Sequence, residues 1–394
     1  MLMAINSGDT VWALISADLV FLLAFAFVLF YGGLHRDIDI TLTLKRCLLA
    51  GSLVLLQWVL FGYSLSFGPD HGGWIGSMAW AGLQDVGLEP NIEYAGTIPH
   101  QAFMIYHAMV AVLVPAMILG AFANRMKFSA YCLFILLWST LVYDPVAHWV
   151  LGVGGFLRNS GALDFGGGIV VHVTAGVTAL VTGRVMRMRR SDLSRQAPPQ
   201  SSSMAVLGAV IMGLGWFGLT SGMALSSGGL AASAYVATYL AAASACFIWA
   251  ILDGVLRRHP ALLGVMSGAV AGLVAITPAA GFVTVWGAII IGVMAAVFCY
   301  FFLAALKSRH GNDVPLNVLG LQGVAGVWGV IATGLWATKS VNPNGADGLF
   351  YGNPGQLMIQ VRATLAAVVY TFIMSWILLK LVDWIAGLRA PEPS

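Results

Sequence analysis

The chain has 394 residues, of which 59% are hydrophobic and 9% charged, with a formal net charge of +3. A typical soluble chain is roughly 25% charged, so this one lacks the polar surface that keeps a soluble domain dispersed. It reads as a polytopic membrane protein, and its few basic residues, confined to short loops between apolar runs, give no sign of nucleic-acid binding.

The leader MLMAINSGDT has no basic n-region and the apolar run behind it is long enough to span, so no separate signal peptide is expected. A helix crosses the hydrocarbon core with about 20 apolar residues, and about eleven such runs follow one another. Their limits are 11–31, 44–67, 98–122, 129–150, 166–183, 203–221, 231–253, 262–277, 281–306, 316–334 and 356–386. The tenth, rich in glycine, is a candidate for a partly broken helix. Alternate loops carry Arg36, Lys45 and Arg46; Arg125 and Lys127; Arg184, Arg187, Arg189, Arg190 and Arg195; Arg257 and Arg258; Lys307 and Arg309; and finally Arg389. The loops between them are neutral or acidic, with Asp70, Asp85, Glu89 and Glu93 in the longest. This alternation predicts an odd span count in the cell (inner) membrane, with the amino terminus outside and the carboxyl terminus in the cytoplasm.

A cytoplasmic linker, 184–202, divides the single transmembrane domain 1–394 into halves of roughly 11–183 and 203–334, with 356–386 as a last helix. Five spans per half make the second half run opposite to the first, which is the inverted-repeat plan with a site at the repeat interface. The halves share an echo: His172-Val-Thr-Ala-Gly-Val and Gln322-Gly-Val-Ala-Gly-Val. On that plan His172 and Gln322 face each other near the midplane.

The stretch DFGGGIVVHVTAGV, Asp164 to Val177, carries the most chemistry. Asp164 is placed to cap a helix N-terminus, the glycines allow close backbone approach, and His172 follows at hydrocarbon depth. An ionisable group there faces a protein interior or a water-filled path, so His172 is a pore or proton-path candidate; its plainer role is a bond to a backbone carbonyl. Gln322 is its partner or, more plainly, interhelical glue. Asp144 and His148, four apart in YDPVAHW, share a helix face. They predict either a structural Asp–His hydrogen bond or negative charge in an outer vestibule. His107 is similarly ambiguous, and Asp18 is read as a buried contact or a subunit-interface group. The arginines from Arg184 to Arg195 are most simply topology determinants. Cys47, Cys132, Cys246 and Cys299 lie in apolar runs without metal-ligand spacing and read as packing residues. No nucleophile–base pair or nucleotide-binding loop stands out, so neither covalent catalysis nor a cofactor is expected.

The strings FYGGL (Phe30–Leu34), GYSLSFG (Gly62–Gly68), GALDFGGGIVVH (Gly161–His172), GWFG (Gly215–Gly218) and SGAVAGLVAITPAAGFV (Ser267–Val283) resemble, in order and spacing, the ammonium transporter/Rhesus (Amt/Rh) family over nearly the whole chain. The resemblance implies an all-α integral membrane fold of eleven transmembrane helices with an inverted five-helix repeat. It also implies a trimeric channel with one pore per protomer. The family pore has an outer cation site, a gate of two stacked phenylalanines and two facing histidines. An aromatic outer site offers ammonium cation–π compensation of roughly 0.5–2 kcal/mol.

Carried onto this chain, Asp164 and His172 fall on the structural aspartate and first pore histidine, and Trp216 on the tryptophan before the second gate position. The second histidine is Gln322, the gate phenylalanines are Val110 and Leu219, and Tyr106 holds an upstream aromatic position. The outer tryptophan and serine become Leu151 and Met223. The implied function is a channel or transporter for ammonium, ammonia or a related small amine, with altered gate and selectivity. The alternatives are a non-conducting ammonium sensor and a Rhesus-type channel for neutral small solutes or gas. Expected partners are two further copies and membrane lipid. The short ending GLRAPEPS speaks against tail-mediated control by a PII-type regulator.

Overall fold

Each apolar run becomes a helix. In the computed structural model, which describes residues 4–35, 38–122, 126–186, 201–310 and 314–389, ten helices are long and apolar enough to cross a membrane and an eleventh is shorter. They are α1 (Ser7–Leu34), α2 (Ile40–Phe67), α3 (His100–Phe122), α4 (Phe128–Asn159), α5 (Gly168–Val185), α6 (Ser202–Ala224), α7 (Gly229–Arg257), α8 (Leu262–Ile276), α9 (Val285–His310), α10 (Val314–Trp336) and α11 (Pro354–Ala386). A two-stranded hairpin, β1 (Asp70–His71) and β2 (Ile75–Gly76), follows α2. Arg36, Arg125, Arg187, Arg189, Arg190 and Arg195 of the charge pattern lie outside the described residues, as do most of the linker and the tail beyond Arg389.

The two halves meet through equivalent helices, as an inverted repeat requires. The first helix of each half, α1 and α6, pack along their length, and so do the last, α5 and α10. Sequence explains how closely α5 and α10 approach. A Cβ built on Gly176 would collide with the Gly323 backbone and lie 3.3 Å from the Gln322 carbonyl carbon. A Cβ on Gly326 would lie 2.9 Å from the His172 Cβ. Each half therefore spends a glycine, four residues after its own polar residue, on seating the other half's polar residue. Small residues at a crossing are the usual means of bringing membrane helices together.

The break expected in the tenth run lies elsewhere. α10 is continuous but carries a π-helical turn, Leu319–Val324. It is α8, with 15 residues, that is too short to span at about 1.5 Å per residue. α8 stops at Thr277–Pro278, inside the protein, where its last carbonyls meet the non-helical residues leading into α5: Phe165 N–H donates to Pro278 O at 3.0 Å and Gly166 N–H to Thr277 O at 2.9 Å. Two interrupted segments thus satisfy each other's backbone groups, the condition under which non-helical chain survives at membrane depth. Gly167, at φ 94°, makes the left-handed turn that starts α5.

Further π-helical turns interrupt α2 (Trp58–Gly62), α4 (Ser139–Tyr143) and α5 (Gly168–Val173). At the basic face, Arg46 donates to Met126 O at 3.0 Å and Lys127 to Ala386 O at 3.0 Å, the second capping the C-terminal end of α11 with a cation.

Gly176→Ala is expected to force α5 and α10 apart and to cost about 1–3 kcal/mol, the usual range for overpacking. Gly87→Ala, whose Cβ meets open space, leaves stability unchanged. Thermal unfolding of the two purified variants in detergent checks the contrast.

Candidate functional site: a buried histidine–glutamine pair

The echo between the halves becomes a contact. His172, inside the π-helical turn of α5, and Gln322, inside that of α10, are both fully buried, with His172 Nδ1 2.7 Å from Gln322 Oε1. An amide oxygen only accepts, so Nδ1 carries the hydrogen and donates it. This fixes the imidazole as the Nδ1–H tautomer and leaves Nε2 as an acceptor. Nε2 faces the Thr277 hydroxyl at 3.2 Å. Thr277 Oγ1 also accepts the Trp216 indole N–H at 2.9 Å and lies 2.8 Å from its own Leu273 carbonyl. The Trp216 ring stacks on the imidazole, with centroids 5.3 Å apart and planes 8° from parallel. His172 is thus held on one edge by Gln322, on the other by Thr277, and on one face by Trp216.

On Gln322 the Oε1 is used but the amide nitrogen, fully buried, has no hydrogen-bond partner in the protein. Leaving such a donor unmet costs about 1–3 kcal/mol. The buried Tyr31 hydroxyl lies beside Gln322, yet not in hydrogen-bonding geometry, so it too is unpartnered. The pair therefore presents a spare donor and a spare hydroxyl side by side, in protein that is otherwise apolar.

Asp164 sits at the head of α5. Its carboxylate accepts the backbone N–H groups of Gly168, of Ile169 at 2.8 Å and of Val170 at 3.3 Å, the free donors of a helix start. α11 clamps the loop before it: Gln360 accepts from Leu163 N–H at 2.8 Å and donates to Leu163 O at 2.7 Å. Tyr106 donates to the carbonyls of Gly218 and Leu219 at 3.0 and 2.9 Å, fixing α3 to α6 just where Leu219 lies. Val110, one turn along α3, and Leu219 are both buried. Leu151 and Met223 are half-buried, and the Leu151 carbonyl accepts from Arg158. His107 bonds its own helix at Phe103 O, 3.1 Å away.

Asp144 and His148 depart from expectation. They do not bond each other, and Asp144 does not face an outer vestibule. It is fully buried between α4 and α2, held by Gln57 Nε2 at 2.6 Å and Ser66 Oγ at 3.3 Å. His148 turns outward instead: its Nδ1 lies 3.1 Å from Ser66 O and its Nε2 2.9 Å from Asp70 Oδ1. The two lie four apart in regular helix, but both sit against Ser66 of α2, whose hydroxyl reaches Asp144 and whose carbonyl reaches His148, so each bonds α2 rather than the other.

Sequence reading missed Thr277 and Tyr31, although both lie inside quoted strings. An apolar helix that ends in threonine just before proline was the available signal for Thr277. Gln57, Ser66 and Asp70 gave none, because their partner is thirty or more positions away in every case.

Comparison with known proteins bears on the whole chain. Residues 11–393 match the model of the Ammonium Transporter Family. The chain belongs to this family. It is 44% identical over 385 residues to an ammonium transporter of Bacillus subtilis, covering 98% of this chain and 94% of that one. It is 38% identical over 384 residues to the ammonium transporter Amt1 of Archaeoglobus fulgidus, with the same coverage. Its fold superposes on the crystal structure of Candida albicans Mep2 with a TM-score of 0.92 at 31% identity, covering 98% of this chain and 87% of that one. The protein is an ammonium transporter by family, a multi-pass membrane protein with the eleven-helix fold of that family.

Thr277→Val takes the bonded oxygen from both His172 Nε2 and Trp216 Nε1, and is expected to destabilise by about 1–3 kcal/mol, read as a fall in Tm. Asp70 supplies a pH dependence. The hydrogen bond from His148 holds its carboxyl below the ordinary value, so the contact is intact above the usual carboxylate range of about 4 and is released as the pH falls through the lowered value. Unfolding followed across acid pH should show this loss in wild type and not in Asp70→Asn.

Proposed function

We propose that each protomer carries one conduit lined by Tyr106, Val110, Leu219, Trp216, His172 and Gln322, and that nitrogen arriving as ammonium passes the His172–Gln322 level as neutral ammonia. The observation that supports this is the unpartnered Gln322 amide N–H beside the Tyr31 hydroxyl. Ammonium has four N–H bonds and no lone pair, so it cannot accept from that amide. Ammonia accepts through its lone pair and still has hydrogens for the Tyr31 oxygen. Glutamine cannot take up a proton as imidazole does, so this pair does not hand a proton across.

Val110 and Leu219 offer no aromatic face to a cation and leave more room than two stacked rings. Asp164, Leu151 and Met223 are proposed to shape the mouth on the outer side. Leu151 and Met223 leave it without the aromatic and hydroxyl groups of the family's cation site. The selectivity lining therefore favours small amines in general over ammonium alone.

The assembly is proposed to be a homotrimer in the cell (inner) membrane, with the amino terminus outside, as the alternation of basic loops favours. Asp18 supports an oligomer: it lies eleven residues into α1, about 16 Å along the helix, and is exposed on the single chain. A carboxylate at that depth is costly in lipid and needs protein cover. The whole of 1–394 is taken as one domain of two inverted repeats, roughly 11–183 and 203–334, acting without covalent chemistry. A PII-type regulator is not part of this reading. A non-conducting sensor is not favoured, since relatives 44% and 38% identical are named ammonium transporters.

Vesicles holding the purified protein test the reading on a solid-supported membrane. Wild type is expected to move amine with little current, and Gln322→His to raise the current carried per amine. Val110→Phe with Leu219→Phe should cut competition by bulkier amines by about 10-fold, the scale of one excess methylene in an apolar pocket. A full elementary charge per amine in wild type would overturn the neutral passage. The amide would then be turned the other way, with its oxygen free to accept from ammonium.

A further inference from the structure

Outside the conduit proposed above lies a second buried polar pair, Gln57 and Asp144. Asp144 is fully buried in a membrane-spanning helix, and among the described residues no cation lies against it. Its hydrogen-bond partners, Gln57 and Ser66, are neutral. The other titratable groups around it are Tyr143, next in the chain, and Tyr106 of α3 behind Tyr143, with His148 one turn further along α4. An ionised carboxylate so placed is expensive. A carboxylic acid is not.

The hydrogen bonds around Asp144 accommodate both forms. Gln57 Nε2 lies 2.6 Å from Asp144 Oδ2 and 3.3 Å from Thr140 Oγ1, while the Gln57 oxygen is buried without a partner. With the carboxylate ionised, the amide nitrogen donates to it and the Thr140 hydroxyl donates to Leu136 O, 2.9 Å away. With a proton on Oδ2, a half-turn of the amide presents its oxygen instead, and 2.6 Å is an ordinary O–H···O distance, though short for N–H···O. Thr140 then donates to that oxygen. One amide rotation converts one set of bonds into the other, the far end of the amide being without a partner in the first.

A route to the outer face exists as well. Ser66 touches Asp144 through its hydroxyl and His148 through its carbonyl, and His148 reaches Asp70 at the hairpin surface. His148 Nδ1 must carry hydrogen, because a carbonyl only accepts. Nε2 faces the Asp70 carboxylate. On the inner side, Asp144–Leu151 packs on the π-helical turn that carries His172.

We propose that Asp144 is a proton-binding site that exchanges with the outer medium past Ser66, His148 and Asp70, and whose occupancy sets the dependence of transport on outer pH. Binding moves one proton from the medium onto Asp144 Oδ2, with the Gln57 amide turning to accept it. Nothing else is consumed or released. All four π-helical turns of the described residues then flank two sites: His172–Gln322, where amine passes, and Gln57–Asp144, where a proton rests. π-Helical turns recur at functional positions.

Infrared difference spectroscopy on reconstituted full-length protein, stepping the outer pH, reads the acid directly. A carboxylic-acid C=O band is expected in wild type, absent in Asp144→Asn and present in Gln322→His. Gln57→Leu keeps the acid but removes its acceptor, and should move the band to higher frequency, which keeps the test open if the asparagine variant folds poorly. His148→Gln should slow the response of the band to an outer step. In uptake, a several-fold dependence on outer pH in wild type is expected to flatten in Asp144→Asn. A band unchanged in both Asp144→Asn and Gln57→Leu, or uptake by folded Asp144→Asn with the wild-type pH profile, overturns the proposal. Either result leaves the passage of ammonia at Gln322 untouched, because that rests on charge per amine.

Discussion

The site depends on how closely two helix backbones can approach. His172 and Gln322 have short reaches, and they meet at 2.7 Å only because α5 and α10 cross with no side chain between them. Gly176 clears space for the Gln322–Gly323 backbone, and Gly326 for His172. The exchange is reciprocal, which follows from the inverted repeat: whatever seats the polar residue of one half seats that of the other. Hydrocarbon gives membrane helices no hydrophobic drive to associate, so packing at such small-residue contacts carries much of the stabilisation.

Around that crossing the interrupted elements support one another. α8 ends early, and its spare carbonyls are taken by the residues that lead into α5. Those residues are held in turn by Asp164, which fills the first amides of α5, and by Gln360 of α11. Thr277, at the break, then faces His172 and Trp216 together. A helix interruption thus becomes the back wall of the site. The imidazole is held by Thr277 and Trp216 on one side and by Gln322 on the other.

Much of this was legible in the chain itself. Runs of apolar residues gave the helices, because a span must satisfy its own backbone polar groups and an α-helix does so within the segment. The six-residue echo gave the His172–Gln322 contact, since a symmetric crossing places equal positions of two halves opposite each other. Asp144 was misjudged for a definite reason. Asp144 and His148 do share a helix face, but a shared face does not decide whether two residues bond each other or a third group packed against both, and here Ser66 takes both. Asp144's partners Gln57 and Ser66 lie on a different helix, and no local pattern announces a pair formed across two helices. The eighth run, read as 262–277, ends where the helix ends, but nothing in it tells that this end lies inside the protein. Its break is set by Pro278 and by the loop it pairs with, a tertiary cause.

Glutamine at 322, opposite His172, shows what such a scaffold permits. Nothing that positions His172 from the Thr277 and Trp216 side involves the side chain at 322, and the glycines that allow the crossing act on backbone alone. A change there alters which groups can donate or accept without moving the helices. The alteration is chemical and one-directional. Two imidazoles can each be donor or acceptor, so a proton on one can be matched by a bare nitrogen on the other. An amide oxygen facing Nδ1 fixes the donor for good, and the proton that the pair could have shared has no second seat there. A transporter with such a lining either passes a neutral molecule or keeps its proton elsewhere. The buried carboxyl at 144, with the Gln57 amide against it, is the group proposed above to do the second.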